Sequence, residues 1–146
     1  MNETQIKRIA LDMLRDNFLY GWTVKFGNNS RTIGYCHYGT QSLTFSRRYI
    51  GNETVDWQNV ISHEVAHALV GHGHGHDAVW ARQHRALGGD GKRCQEGARL
   101  APDQYKWIIK CSQDRREIGR VNRKGKRLQR SVCKCHAAPL LWVELR

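Results

Sequence analysis

Residues 56–77 read DWQNVISHEVAHALVGHGHGHD, and the rest of the chain is organised around them. His63 and His67 are four apart, so on a helix they lie on one face, one turn above the other. Each can offer one imidazole nitrogen to a single metal ion. Glu64 follows His63 by about 100° of helical rotation, which aims its carboxylate into the same space without making it a ligand. Two imidazoles and an adjacent carboxylate suit a zinc-activated water with a general base beside it. The flanks support a helix. Asp56 is a good N-cap before Trp57, Ile61, Val65, Ala68 and Leu69 form an apolar stripe, and Gly71 stands where a helix ends.

A catalytic zinc keeps three protein ligands and one open position, so a third ligand must follow. The metzincin spacing requires Gly and His where this chain has Val70 and Gly73, and no Glu occurs between Glu64 and Glu96 to serve as a thermolysin-like ligand. That leaves His72, His74 and His76 in the run Gly71 to His76.

The combination resembles the SprT-like (Spartan-type) zinc metallopeptidases. They share HExxH, a loop, and a His-Gly-x-x-Phe/Trp element that opens the next helix. Here that element reads His76-Asp77-Ala78-Val79-Trp80, which implies His76 as the third ligand. Asp77 departs from the family's glycine but fits a helix N-cap. The resemblance implies an α+β fold: a minimal zincin-like domain over residues 1–104 and a basic, zinc-ribbon-like β appendage over 105–146. It also implies a zinc endopeptidase whose substrates are proteins bound or crosslinked to DNA, and an edge strand near the metal that takes substrate as an added strand. Which strand is the edge is not legible in the sequence.

Ahead of the metal helix, Ile6, Ile9, Ala10, Met13, Leu14 and Phe18 recur at helical spacing. Asn2 with Gln5, or Thr4 alone, caps this helix, and Gly21 is the expected stop. Trp22, Val24 and Phe26 alternate with polar residues as a strand; Thr32–Tyr38 and Ser42–Ser46 read as two more, giving a small antiparallel sheet. Cys36 and His37 read as structural residues of that sheet. Beyond the metal helix, Asp77–Leu87 reads as a further helix with Val79, Trp80, Gln83 and Leu87 inward and His84 on the surface. Trp80 is expected to wedge the His76 loop against the metal helix.

The chain has 146 residues and a formal net charge of +11, from 24 Lys and Arg against 13 Asp and Glu. Such an excess points to an anionic partner, nucleic acid first. Most of it lies between Lys106 and His136, a segment of net +9. Arg115, Arg116, Arg120, Arg123, Lys124, Lys126, Arg127 and Arg130 are its expected phosphate contacts, and Tyr105 and Trp107 could stack on bases. Nothing indicates base-specific readout, so DNA binding independent of sequence is expected. Trp107–Lys110 and Gln129–Lys134 read as two ribbon strands. Cys111, Cys133 and His136, with Asp114, Cys94 or Cys135 as a fourth, could hold a structural zinc; a ribbon without metal is the alternative. Leu140–Val143 is an apolar run expected to dock the tail on the core.

No apolar run approaches the roughly 18 residues needed to span a bilayer. The first residues carry acids within their apolar stretch, unlike a secretory signal. The five cysteines form no evident disulfide framework, and a cytoplasmic, DNA-associated location is expected. A nucleic-acid-binding module with a structural or inactive zinc site is the competing reading.

Overall fold

The computed structural model describes residues 1–145. The chain divides into two compact units that part between Arg99 and Leu100. No described helix is long and apolar enough to cross a membrane.

The first unit opens with α1 (Glu3–Asp16). Its start is a reciprocal cap: the Asn2 side chain accepts from the Gln5 N–H at 2.9 Å, and the Gln5 side chain accepts from the Asn2 N–H at 2.9 Å. Ile6, Ala10 and Leu14 bury the face that the spacing predicts. The helix stops well before Gly21. Asn17 caps it, and Phe18 takes a left-handed conformation at φ 62° that turns the chain away. The Phe18 ring is consequently 79% exposed rather than part of the stripe.

Three strands follow: β1 (Thr23–Gly27), β2 (Gly34–His37) and β3 (Ser42–Ser46). The sheet order is β1-β3-β2, with β1 parallel and β2 antiparallel to β3. The sheet is therefore mixed, not antiparallel. The segment after β1 carries the chain past its neighbour's place, and the β2–β3 hairpin then returns β3 into the gap. β3 suits the centre, since Leu43 and Phe45 are fully buried on one face and the small Ser42 and Ser46 close the other. In the hairpin turn, the Thr40 N–H donates to His37 Nδ1 at 3.1 Å, which gives His37 a structural role.

α2 (Trp57–Val70) lies against α1, α3 and β2. The Asp56 side chain accepts from the Asn59 N–H, and Gly71 ends the helix at φ 78°. Ile61, Val65 and Ala66 are fully buried, each such aliphatic contributing about 1.5–3 kcal/mol when large and less for alanine. α3 (Ala78–Ala86) starts at Asp77, whose carboxylate accepts from the Val79 and Trp80 N–H groups. Counted from that cap, Trp80 and His84 share the inward face, both with no exposed surface, and Val79 is turned out, 45% exposed. The expectations for Val79 and His84 are thus both reversed.

The second unit is an antiparallel sheet in the order β5-β4-β6, with β4 (Trp107–Cys111), β5 (Glu117–Val121) and β6 (Leu140–Glu144). Gln129–Lys134 is not a strand. Gly125 opens a single helical turn, α4 (Lys126–Gln129), and only Val132 bridges back, to Pro139. This stretch has no alternating β-branched residues before Val132, so it has no face to bury in a sheet. Leu140–Glu144 supplies the missing strand, paired with β4 inside this unit. The buried apolar interior here is slight: Leu100, Ile109, Ala138 and two cysteines, Cys111 and Cys133.

Candidate active site and metal centres

α2 presents His63 and His67 to one cleft, and the loop between α2 and α3 delivers His76 to the same point. His76 Nε2 lies 3.0 Å from His63 Nε2 and 3.1 Å from His67 Nε2. A tetrahedral zinc with Zn–N bonds of about 2.0–2.1 Å would separate its imidazole nitrogens by roughly 3.3 Å, so the spacing fits such an ion closely. The other two histidines of the loop turn elsewhere. His72 sets its ring edge-on to Tyr38 at 5.2 Å, and His74 Nδ1 contacts Asp77 Oδ2 at 2.8 Å.

Trp80 holds the three imidazoles from below. Its ring centroid lies 4.6 Å from His63, 5.3 Å from His67 and 4.6 Å from His76. Its indole N–H also donates to the His63 carbonyl at 3.4 Å. The wedge expected of Trp80 is the one found.

The electrostatics keep the donors in their metal-binding form. Burial, then the neighbouring imidazoles, pushes His63 down to about 3. Burial, then His76 and His84, pushes His67 down to about 4. Burial, then Arg93 and His84, also lowers His76. All three rings are neutral at pH 7, and each can offer a lone pair. Glu64 is 6% exposed, and burial pushes its carboxyl up to about 8. A divalent cation beside it would act in the opposite sense and favour the carboxylate.

The cleft has a volume of about 640 Å³. One wall is β2, the edge strand, through Gly34, Tyr35 and Cys36; another is formed by Arg93, Cys94 and Gln95. Gln95 ties that second wall down, accepting from the Asp56 N–H at 3.1 Å and donating to the Thr54 carbonyl at 2.8 Å. Burial, then Glu64, pushes the Cys36 thiol up to about 12, which makes it an inert wall residue. Tyr38 also faces the cleft, its phenol held protonated by burial and then by Cys36 and Glu64. Sequence reasoning missed Tyr38 because nothing in a strand-end tyrosine marks it; only the position of the edge strand does.

The second unit gathers Cys111, Cys133, Cys135 and His136, whose ligand atoms all lie within 4.8 Å of one another. Cys133 Sγ is 3.5 Å from Cys111 Sγ, and Cys111 Sγ is 3.4 Å from His136 Nδ1. Zn–S bonds of about 2.3 Å would set such atoms roughly 3.6–3.8 Å apart. Cys135 is the fourth member of the group, while Asp114 stands outside it, 3.8 Å from His136 Nδ1. The Ala138 N–H donates to Cys133 Sγ at 3.4 Å, which steadies a thiolate there.

Seven of the eight expected phosphate contacts are exposed: Arg115, Arg116, Arg123, Lys124, Lys126, Arg127 and Arg130. Arg120 is half-buried and engaged, donating to Glu117 at 2.7 and 3.1 Å and to the Pro102 carbonyl at 2.9 Å. Lys124 Nζ sits 3.7 Å above the Trp107 ring, and Trp142 stands edge-on to Trp107 at 6.4 Å.

A helix offering two imidazoles one turn apart, a third from the next loop, and a buried carboxylate beside an edge strand together define a metallopeptidase-like domain. The SprT-like family model matches residues 5–99, and the chain belongs to the SprT-like family. No curated protein and no solved structure matches it.

Proposed function

We propose that the chain is a zinc-dependent endopeptidase that cleaves proteins bound or crosslinked to DNA, with His63, His67 and His76 as metal ligands and Glu64 as general base. The observation carrying this reading is the meeting of three neutral imidazole nitrogens beside one buried carboxylate. Zinc held there would polarise the scissile carbonyl and bring the acidity of a water toward neutrality. Glu64 takes the proton from the attacking water and passes it to the leaving amine. Its buried, apolar setting strengthens it as a base. The phenol of Tyr38 is the donor at hand for the oxyanion that develops on the carbonyl. An extended substrate adds to the open rim of β2, and main-chain pairing there makes selectivity for side chains weak.

We further propose a structural zinc on Cys111, Cys133, Cys135 and His136. A unit of fewer than fifty residues with so little buried aliphatic surface needs such a staple. The exposed basic residues of that unit would bring the peptidase to DNA and confine cleavage to what is bound there.

The test is proteolysis of a DNA-binding protein with and without DNA. Cleavage is expected to require DNA in the wild type and to be lost in Glu64→Gln. Equal cleavage without DNA removes the recruitment step, and undiminished activity in Glu64→Gln removes the mechanism.

A further inference from the structure

His84 has no exposed surface, yet it is neither a ligand nor part of the proposed chemistry. Its surroundings define its protonation. The Gly91 N–H donates to Nδ1 at 3.1 Å, so Nδ1 carries the lone pair and Nε2 the proton. Nε2–H then faces two acceptors on α2, the Asn59 carbonyl at 3.2 Å and Ser62 Oγ at 3.1 Å. Ser62 Oγ itself donates to the Asn59 carbonyl at 3.0 Å. That carbonyl is the helical acceptor of the His63 N–H, so the bonds converge on the turn of α2 that carries the first imidazole.

The same ring completes the support beneath that imidazole. Its centroid is 5.0 Å from Trp80 and 5.4 Å from His63. The loop after α3 is shaped to admit it. A Cβ on Gly89 would stand 1.9 Å from His84 Nε2, a distance only glycine can avoid, and the Asp90 N–H donates to Asn59 Oδ1 at 3.0 Å. Asp90 Oδ1 lies 3.9 Å from Nδ1. A buried imidazole bonded on both nitrogens, with a loop cut back to fit it, does more than fill space.

We propose that His84 is a positioning residue of the metal centre: bonded to the Gly91 N–H on one side and to Asn59 and Ser62 on the other, it fixes the turn from which His63 presents Nε2. The proposal rests on reading His63, His67 and His76 as the metal site. Groups hydrogen-bonded directly to metal ligands typically govern metal affinity by about 10- to 100-fold. His84 acts one bond further out, through the Asn59 carbonyl and its ring contact with His63, so the lower end of that range sets the scale.

The experiment measures zinc affinity by chelator competition on the full chain, together with thermal stability. The zinc in question is the fraction lost in His63→Ala. His84→Gln keeps a donor near the place of Nε2, whereas His84→Asn reaches only the place of Nδ1. The expected result is zinc binding weakened about tenfold or more in His84→Asn and largely kept in His84→Gln, with cobalt-loaded protein showing an altered visible spectrum only in His84→Asn. Ser62→Ala, which keeps the Asn59 carbonyl as an acceptor for Nε2–H, is expected to weaken zinc by a few-fold. Equal zinc affinity in the Gln and Asn variants, or losses that follow only the melting temperature, would make His84 a packing residue and overturn the proposal. If His63→Ala loses no zinc, the metal-site reading fails first, and this proposal with it.

Discussion

Gly34 lies on the edge strand directly against the proposed general base. A Cβ added there would meet Phe45 Cδ1 at 3.0 Å and Glu64 Cγ at 3.2 Å. Ordinary carbon contacts begin near 3.5 Å, so Gly34→Ala must push the Glu64 side chain by about 0.3 Å. If a misplacement of 1 Å costs about 100-fold, a log-linear reading gives a loss in kcat of about fourfold. Stability shifts in two directions. Crowding a packed site costs about 1–3 kcal/mol, and the stiffer unfolded chain returns about 0.4–1 kcal/mol. The net destabilisation is about 0–2.6 kcal/mol, which lowers the melting temperature by up to about 20 °C at 4–8 °C per kcal/mol. The assay is steady-state cleavage of a DNA-bound protein well below the melting temperature, alongside zinc content. Zinc should remain and KM should change little, while kcat falls. A variant with wild-type kcat, or one that loses zinc as readily as activity, would refute the placement of Glu64 against this strand.

Metal-free protein should lose stability on acidification. His63 and His67 are held near 3 and near 4 when folded against 6.5 when free, so the unfolded chain binds more protons between these values. The contribution of these two rings is therefore full above pH 6.5 and drains away as the pH falls toward 3, while Glu64, held near 8, opposes them with a single proton between about pH 4.5 and 8; urea midpoints that are equal at pH 7 and pH 5 after chelation would contradict this. Cys133→Ser should remove one zinc per chain and strip amide-exchange protection from residues 100–145 while leaving α2 protected; two zincs retained would count against the cysteine site. Replacing Arg123, Lys124, Lys126 and Arg127 with glutamine should flatten the salt dependence of single-strand binding by roughly 0.7 per lost phosphate contact. An unchanged slope, measured by fluorescence titration across salt concentrations, would place the DNA elsewhere.

What the sequence disclosed followed from short-range physics. The helix α2 could be read to the residue because its cap, its stop and its two paired imidazoles all lie within one run, Asp56 to Gly71, whereas His76 lies in the loop beyond. α1 began where the Asn2–Gln5 pair predicts, but its end depended on a left-handed Phe18, which no propensity favours. The sheet's mixed pairing was hidden because alternation assigns faces, not neighbours. His84 was misread because a histidine among arginines on a short helix resembles a solvated residue, and its partners, Asn59, Ser62 and Gly91, come from two other segments. In the second unit the cysteines were visible, but β6 was assigned to the wrong body because a terminal apolar run does not name its partner.

The three imidazoles lie between positions 63 and 76, within one helix-loop-helix segment. Closing so short a stretch costs little entropy, and each further doubling of length would add only about 0.6 kcal/mol. The edge strand that forms the cleft comes from a separate, earlier part of the chain. The proposed ion donors and the strand that walls the cleft are therefore drawn from separate parts of the chain. On the proposed ligand set, zinc content reports on the helix-loop-helix segment and only indirectly on the edge strand, so metal content alone is a poor gauge of how much of a preparation is competent.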